Sequence, residues 1–159
     1  MDRRFYKIDE FYMNIAIKEA KKALNKKEVP VGAVLVDKDG NILAKGYNLK
    51  EKKKDPSAHA EIVVIRKASK KLNNWRLEGC SIYVTLQPCL MCFGALVQAR
   101  IKRLIFGAYD PKENILETIY SNYDIEIKGG VLEEECSNLL KSFFKIIRDF
   151  SGLGFYGKI

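Results

Sequence analysis

Ser81-Ile82-Tyr83-Val84-Thr85-Leu86-Gln87-Pro88-Cys89-Leu90-Met91-Cys92 joins two kinds of periodicity in one short stretch. Ser81 to Leu86 is an apolar run of the length of a buried strand. Pro88 then stands where a helix can begin, and Met91 to Ala99 reads as a short apolar helix. The pattern predicts Cys89 and Cys92 in the first turn of a helix that leaves the end of a strand.

Upstream, Phe11, Tyr12, Ile15, Ala16, Ala20, Ala23 and Leu24 recur at helical spacing and predict an amphipathic helix over Asp9 to Lys26, closed off before Pro30. Gly32 to Val36 and Ile42 to Tyr47 flank Asp37-Lys38-Asp39-Gly40-Asn41, whose Asp-Gly pair predicts a β-hairpin. Leu49 to Pro56 carries Lys50, Lys52, Lys53 and Lys54 without apolar periodicity and reads as a surface loop. Ser57 is the expected N-cap of a helix striped by Ala58, Ile62, Ile65, Ala68 and Leu72, which puts His59 and Glu61 in its first turn.

Downstream, Ile101 to Gly107 reads as a strand, Lys112 to Tyr120 as a short helix or irregular segment, and Tyr123 to Lys128 as a strand. Glu133 to Phe150 is a helix with Cys136, Leu139, Leu140, Phe143, Phe144 and Ile147 on one side, and Ser151 to Ile159 shows no clear element. The order predicts a three-layer α/β/α domain around a mixed sheet of about five strands.

At 159 residues the chain is expected to form one domain, residues 1–159, and 47% apolar side chains argue against disorder. The net charge of +8 is uneven: residues 1–80 hold 19 Lys/Arg against 11 Asp/Glu, while residues 81–159 hold nine of each. A polyanion such as RNA suits the first half, because neutralising phosphates releases counterions; a merely solvated lysine-rich surface is the plain alternative. Met1 to Tyr6 is charged and aromatic rather than signal-like, and no apolar run reaches a bilayer-spanning length, so a cytoplasmic protein without a membrane anchor is expected. Four cysteines are too few for a disulfide scaffold, which turns the close pair toward metal or catalysis.

His59-Ala60-Glu61 and Pro88-Cys89-Leu90-Met91-Cys92 together satisfy the H-x-E…P-C-x-x-C pattern of zinc nucleobase deaminases. The chemistry has its own logic. A catalytic zinc takes three protein ligands and leaves the fourth position for water, and His59, Cys89 and Cys92 supply one imidazole and two thiolates. Glu61, two residues from His59, projects differently and is the candidate general acid/base. Cys-x-x-Cys alone would also suit a redox pair, and His59, the only histidine, could serve a Ser-His-Asp arrangement; the joint pattern favours zinc. Cys80 and Cys136 fit ordinary buried thiols rather than a fourth ligand.

With these residues in place, the chain resembles the bacterial tRNA-specific adenosine deaminases, within the cytidine-deaminase-like superfamily. The carrying segments are Val29 to Val34, Asp55-Pro56-Ser57-Ala58-His59-Ala60-Glu61-Ile62, Tyr83 to Cys92, Ala99-Arg100-Ile101 and Phe106-Gly107-Ala108-Tyr109-Asp110. The resemblance implies conversion of adenosine to inosine at the wobble position in a tRNA anticodon arm, by a homodimer whose sites use both subunits. It also implies that Asn48, Ala60 and Asp110 contact the substrate, and that Phe143, Phe144, Lys145 and Arg148 lie near the RNA. Two features depart from the family. Gln87 stands where Glu usually precedes Pro-Cys, so a charge behind the metal ligands is missing. Pro111-Lys112-Glu113-Asn114-Ile115-Leu116-Glu117 replaces a longer glycine-containing loop.

That altered segment keeps a second reading open, a zinc deaminase of a free base or nucleoside of the guanine or cytosine type. A third, from another class, is a zinc-stabilised RNA-binding module without catalysis, which would have no activity for a Glu61 substitution to remove.

Overall fold

A computed structural model, which describes residues 2–113 and 116–151, begins with helix α1 (Arg3–Asn25) and the hairpin β1 (Gly32–Val36) and β2 (Ile42–Tyr47). A single turn α2 (Lys50–Lys53), helix α3 (Ala60–Leu72), strand β3 (Ser81–Leu86), helix α4 (Leu90–Gln98) and strand β4 (Arg103–Ala108) follow. A 3-10 turn (Pro111–Glu113), α5 (Leu116–Tyr120), β5 (Glu126–Lys128) and α6 (Glu133–Ser151) complete the described chain. Of the stretch predicted to lack an element, Ser151 closes α6, and residues 152–159 lie outside the described residues.

The five strands form one sheet in the order β2-β1-β3-β4-β5. β1 pairs antiparallel with β2 and β3, whereas β3, β4 and β5 run parallel, giving the expected mixed sheet. Helices cover both faces, so β1 is buried along its whole length. Ala33 and Leu35 pack with Val64, Phe93 and Leu96 under α3 and α4, while Val34 and Val36 pack with Met13 and Ile17 of α1. This is the period of two read on both faces at once, and each larger aliphatic side chain so buried stabilises by about 2 kcal/mol. Gly32 permits the closest approach: a Cβ there would collide with the Ala16 carbonyl oxygen of α1.

Four expectations change. The α1 helix starts six residues before Asp9, with Asp2 Oδ1 accepting from Arg4 N–H at 3.1 Å, and Phe11 is exposed instead of lying on the buried stripe. That stripe runs through Asp9, Met13, Ala16, Ala20 and Ala23, where small residues let helix and sheet approach. Within the predicted loop Leu49 to Pro56, α2 forms because the Glu28 carboxylate accepts from Glu51 N–H at 3.2 Å and Lys52 N–H at 2.8 Å. Ser57 is not the N-cap of α3. Its N–H and hydroxyl both donate to Asp55 Oδ1, at 2.8 and 2.7 Å, and the helix begins at Ala60 with His59 in the cap position. At the other end of the fold, the strand expected over Tyr123 to Lys128 contracts to β5.

Candidate active site

His59 stands at the N-cap position of α3 and Cys89 at that of α4, and the His59 ring makes no capping bond to its own helix. Helix α3 forgoes about 1 kcal/mol of capping, and the His59 ring is left to meet the sulfurs at the start of α4. Cys92, in the first turn of α4, completes the group: His59 Nδ1 lies 3.6 Å from Cys89 Sγ and 3.4 Å from Cys92 Sγ. Two helix N-termini thus converge on the sulfurs, and their positive ends favour thiolate.

The geometry fits a zinc ion. Zn–S and Zn–N bonds of about 2.3 and 2.05 Å at a tetrahedral angle require an N···S edge of about 3.6 Å, which the two observed edges match. All three ligand atoms lie within 4.8 Å of one another, and no other set of three or more His, Cys, Asp or Glu residues among the described residues does so. Cys80 and Cys136 are buried elsewhere as free thiols, and burial pushes Cys136 up to about 12.

Glu61 sits beside the group without joining it. Its Oε2 accepts from Cys92 Sγ at 3.2 Å, but the carboxylate does not come within the common 4.8 Å reach of the three. At 4% exposure, burial pushes its carboxyl up, against the pull of its own backbone N–H, the Cys92 thiol and the His59 ring. Within the cluster, hydrogen bonds from the Cys92 thiol and then the His59 ring draw Cys89 down to about 4. The bond to Cys89 and burial push Cys92 up, and the bond to Cys89 raises His59 against its own burial.

A cavity of about 160 Å³ opens beside the cluster, close to the ~150 Å³ that houses a single aromatic ring. His59, Glu61 and Cys89 line it on the side of the cluster, and Val29, Val31 and Leu86 supply apolar walls. Asn48, Ala60 and Asp110 line it too, so the residues singled out in the sequence come together here. Asn48 is buried and its Oδ1 accepts from Lys50 N–H at 3.1 Å, leaving its amide Nδ2 as the group it can offer the cavity. Of the two α6 phenylalanines that the resemblance sets near RNA, Phe143 is buried and Phe144 is exposed.

Lys50 and Gln87 also line the cavity. The sequence marks Gln87 as a missing charge behind the metal ligands; instead its side chain reaches to Asp110 N–H and the Tyr120 hydroxyl. Glu28, which holds α2, escaped notice because its partners lie more than twenty residues away.

Known proteins share this arrangement. The cytidine and deoxycytidylate deaminase zinc-binding region model matches residues 6–108. The tRNA-specific adenosine deaminase of Bacillus subtilis (strain 168) is 50% identical over 147 residues, covering 88% of this chain and 91% of that protein. A solved structure from a study of A-to-I editing by tRNA:A34 deaminases at the wobble position of transfer RNA superposes with a TM-score of 0.77 at 40% identity, over 82% of this chain and 99% of that one. The X-ray structure of guanine deaminase from Bacillus subtilis gives a TM-score of 0.60 at 33% identity, over 78% and 72% of the two chains.

Proposed function

The chain belongs to the cytidine and deoxycytidylate deaminase zinc-binding family, and from that premise we propose that it hydrolyses adenosine to inosine at the wobble position of tRNA. The carrying observation is a buried carboxylate next to a three-ligand zinc group in a cavity with room for one base. A site of that size takes the base and leaves ribose and phosphates outside, as base-modifying enzymes require. The relatives named for tRNA supply the substrate.

His59, Cys89 and Cys92 would hold the zinc. When bound, the ion supplies Lewis acidity that makes water a nucleophile near neutral pH. Glu61 takes a proton from the attacking water and delivers it to purine N1 as the C6–O bond forms. It then passes the second proton to the departing amine as the C6–N bond breaks, so adenosine and water give inosine and ammonia. Asn48 and Asp110 orient the nucleotide, and the Ala60 backbone and side chain close one wall of the base pocket. Lys50 at the cavity and the neighbouring Lys52, Lys53 and Lys54 offer cations to the surrounding phosphates.

The chain acts as one deaminase domain and pairs with a second copy. Leu90 and Met91, next to the zinc cysteines on α4, are 62% and 42% exposed, and a Cβ at Gly94 would meet nothing within 4 Å. That face suits a partner's helix. The cytoplasm is the proposed compartment, supported by four free cysteines and by the absence, among the described residues, of a helix long and apolar enough to cross a membrane.

Incubation of zinc-loaded protein with a tRNA carrying adenosine at the wobble position should yield inosine there, read as guanosine on reverse transcription. Full zinc occupancy without inosine would defeat the proposal. Deamination of free guanine is the second reading, favoured by the 33% identity to a guanine deaminase; ammonia release from the free base, with tRNA left unchanged, would select it.

A further inference from the structure

Gln87 joins β3 to the Pro88-Cys89 turn and is 3% exposed. Its backbone N–H donates to the Ala108 carbonyl at 2.8 Å, at the end of β4. Both ends of its side chain are engaged: Oε1 accepts from Asp110 N–H at 3.0 Å, and Nε2 donates to the Tyr120 hydroxyl oxygen at 3.2 Å. The amide orientation follows from chemistry, since a backbone N–H can only donate. Asp110 then starts the 3-10 turn, its Oδ1 accepting from Lys112 N–H at 3.0 Å and its carbonyl from Glu113 N–H at 2.9 Å. The Tyr120 ring packs on Phe93, with centroids 4.8 Å apart, and Phe93 follows Cys92. One buried amide therefore ties the segment after β4 to the strand end that carries Cys89 and, through Tyr120, to the helix that carries Cys92.

We propose that Gln87 is a positioning residue that holds Asp110 at the mouth of the cavity, in register with the zinc cysteines, so that the RNA strand flanking the reacting base is gripped as the base enters. The proposal rests on the tRNA reading of the site. Gln87 lines the cavity, but both ends of its amide are engaged with Asp110 and Tyr120, so it acts through Asp110. The atom-level requirement is specific. A carboxylate in its place would accept from both Asp110 N–H and Tyr120 O–H, so the Tyr120 proton reverses direction and the tie survives. A methionine of similar volume can make neither bond.

The test measures steady-state inosine formation on wobble-adenosine tRNA together with bound zinc and exchange of the Asp110 amide proton. In Q87M, KM for tRNA should rise about tenfold, the scale of a lost buried hydrogen-bonded tie, with kcat within about threefold and zinc unchanged. Q87E should bring KM back to within about threefold of the parent. The Asp110 amide should exchange slowly in the parent and in Q87E, and faster in Q87M. A parental KM in Q87M, a loss confined to kcat or to zinc content, or an unprotected Asp110 amide in the parent overturns the proposal. Should Q87M fail to fold, the parent and Q87E decide it: a protected amide and parental KM in Q87E support it, and exposure of the amide in either defeats it. A parent without turnover on tRNA removes the functional reading itself, whereas a working parent with an indifferent Q87M defeats the positioning role alone.

Discussion

Asp9 and Glu61 are both buried carboxylates, 1% and 4% exposed, on opposite faces of the same sheet, and their surroundings push them in opposite directions. Burial raises the Asp9 carboxyl, but bonds from Lys128 Nζ at 2.9 Å and the Tyr83 hydroxyl at 2.9 Å, with the Arg103 guanidinium at 3.4 Å, outweigh it and hold the group below its ordinary value. Around Glu61 stand a thiol, a backbone N–H and the His59 ring, and burial wins. Two carboxylates with little exposure thus stand as an anchored ion at Asp9 and, on the proposed mechanism, as a proton carrier at Glu61. Among the side chains of the described residues, what sorts them is whether lysine and arginine close around the carboxylate, as Lys128 and Arg103 do at Asp9 and none does at Glu61.

The largest expected effect comes from removing the unclosed carboxylate. Glu61→Gln should lower inosine formation by about a thousandfold or more, the scale of a lost general acid/base. Zinc content should stay at the parental level, and the melting temperature should stay close to it too, because the amide keeps the shape of the carboxylate in its buried place. Metal analysis, a thermal melt and the inosine assay on one preparation check all three. Retained turnover would make Glu61 another anchor and erase the contrast.

Asp9→Ala should do the reverse. It leaves Lys128 and Arg103 beside an emptied site, each with a side chain 22% exposed, and stability should fall by about 3 kcal/mol in denaturant unfolding. Turnover per folded molecule should stay within about twofold, since Asp9 packs on the α1 side, away from α3 and α4. A large stability loss in Glu61→Gln, or a large activity loss in Asp9→Ala, would show that partners do not divide the two roles.

The sequence discloses one of these carboxylates and conceals the other. Glu61 is legible because zinc chemistry demands particular residue types at short spacings: His59 with Glu61, and Cys89 with Cys92. The strands β1, β2 and β3 are legible for a related reason, since local periodicity and the Asp-Gly turn define them, and Gly40 takes up φ +87° there as the hairpin requires. Asp9 reads only as the first position of a helix. Its partners lie 74, 94 and 119 residues away, where no local pattern reaches. Shorter separations, of 23 to 33 residues, still hide Glu28 from α2, and Gln87 from Asp110 and Tyr120. Ser57 misleads differently: a hydroxyl before an apolar stripe suggests a cap, but Asp55 two residues earlier captures it first. Periodicity also takes every apolar residue as inward, and so places Phe11 in a stripe it leaves.

The finest separation between the two carboxylates is in acid. Asp9 has a folded pKa below its unfolded value, so between the two the unfolded chain binds more protons than the native one. Stability therefore rises with pH across that window. The Asp9 contribution is complete above the unfolded value of about 3.9 and disappears as pH falls through the lower folded value. Other groups titrate in acid as well, including the zinc ligands, so the informative quantity is the difference between the parent and Asp9→Asn. That difference should be constant above about pH 5 and should shrink below about pH 4, as the parental carboxyl becomes neutral like the amide. Denaturant midpoints measured at a series of pH values check it. A difference that grows in acid would mean that Asp9 is protonated more readily in the folded protein than in the unfolded chain, which would place it with Glu61 and leave the Lys128, Tyr83 and Arg103 contacts without the effect assigned to them.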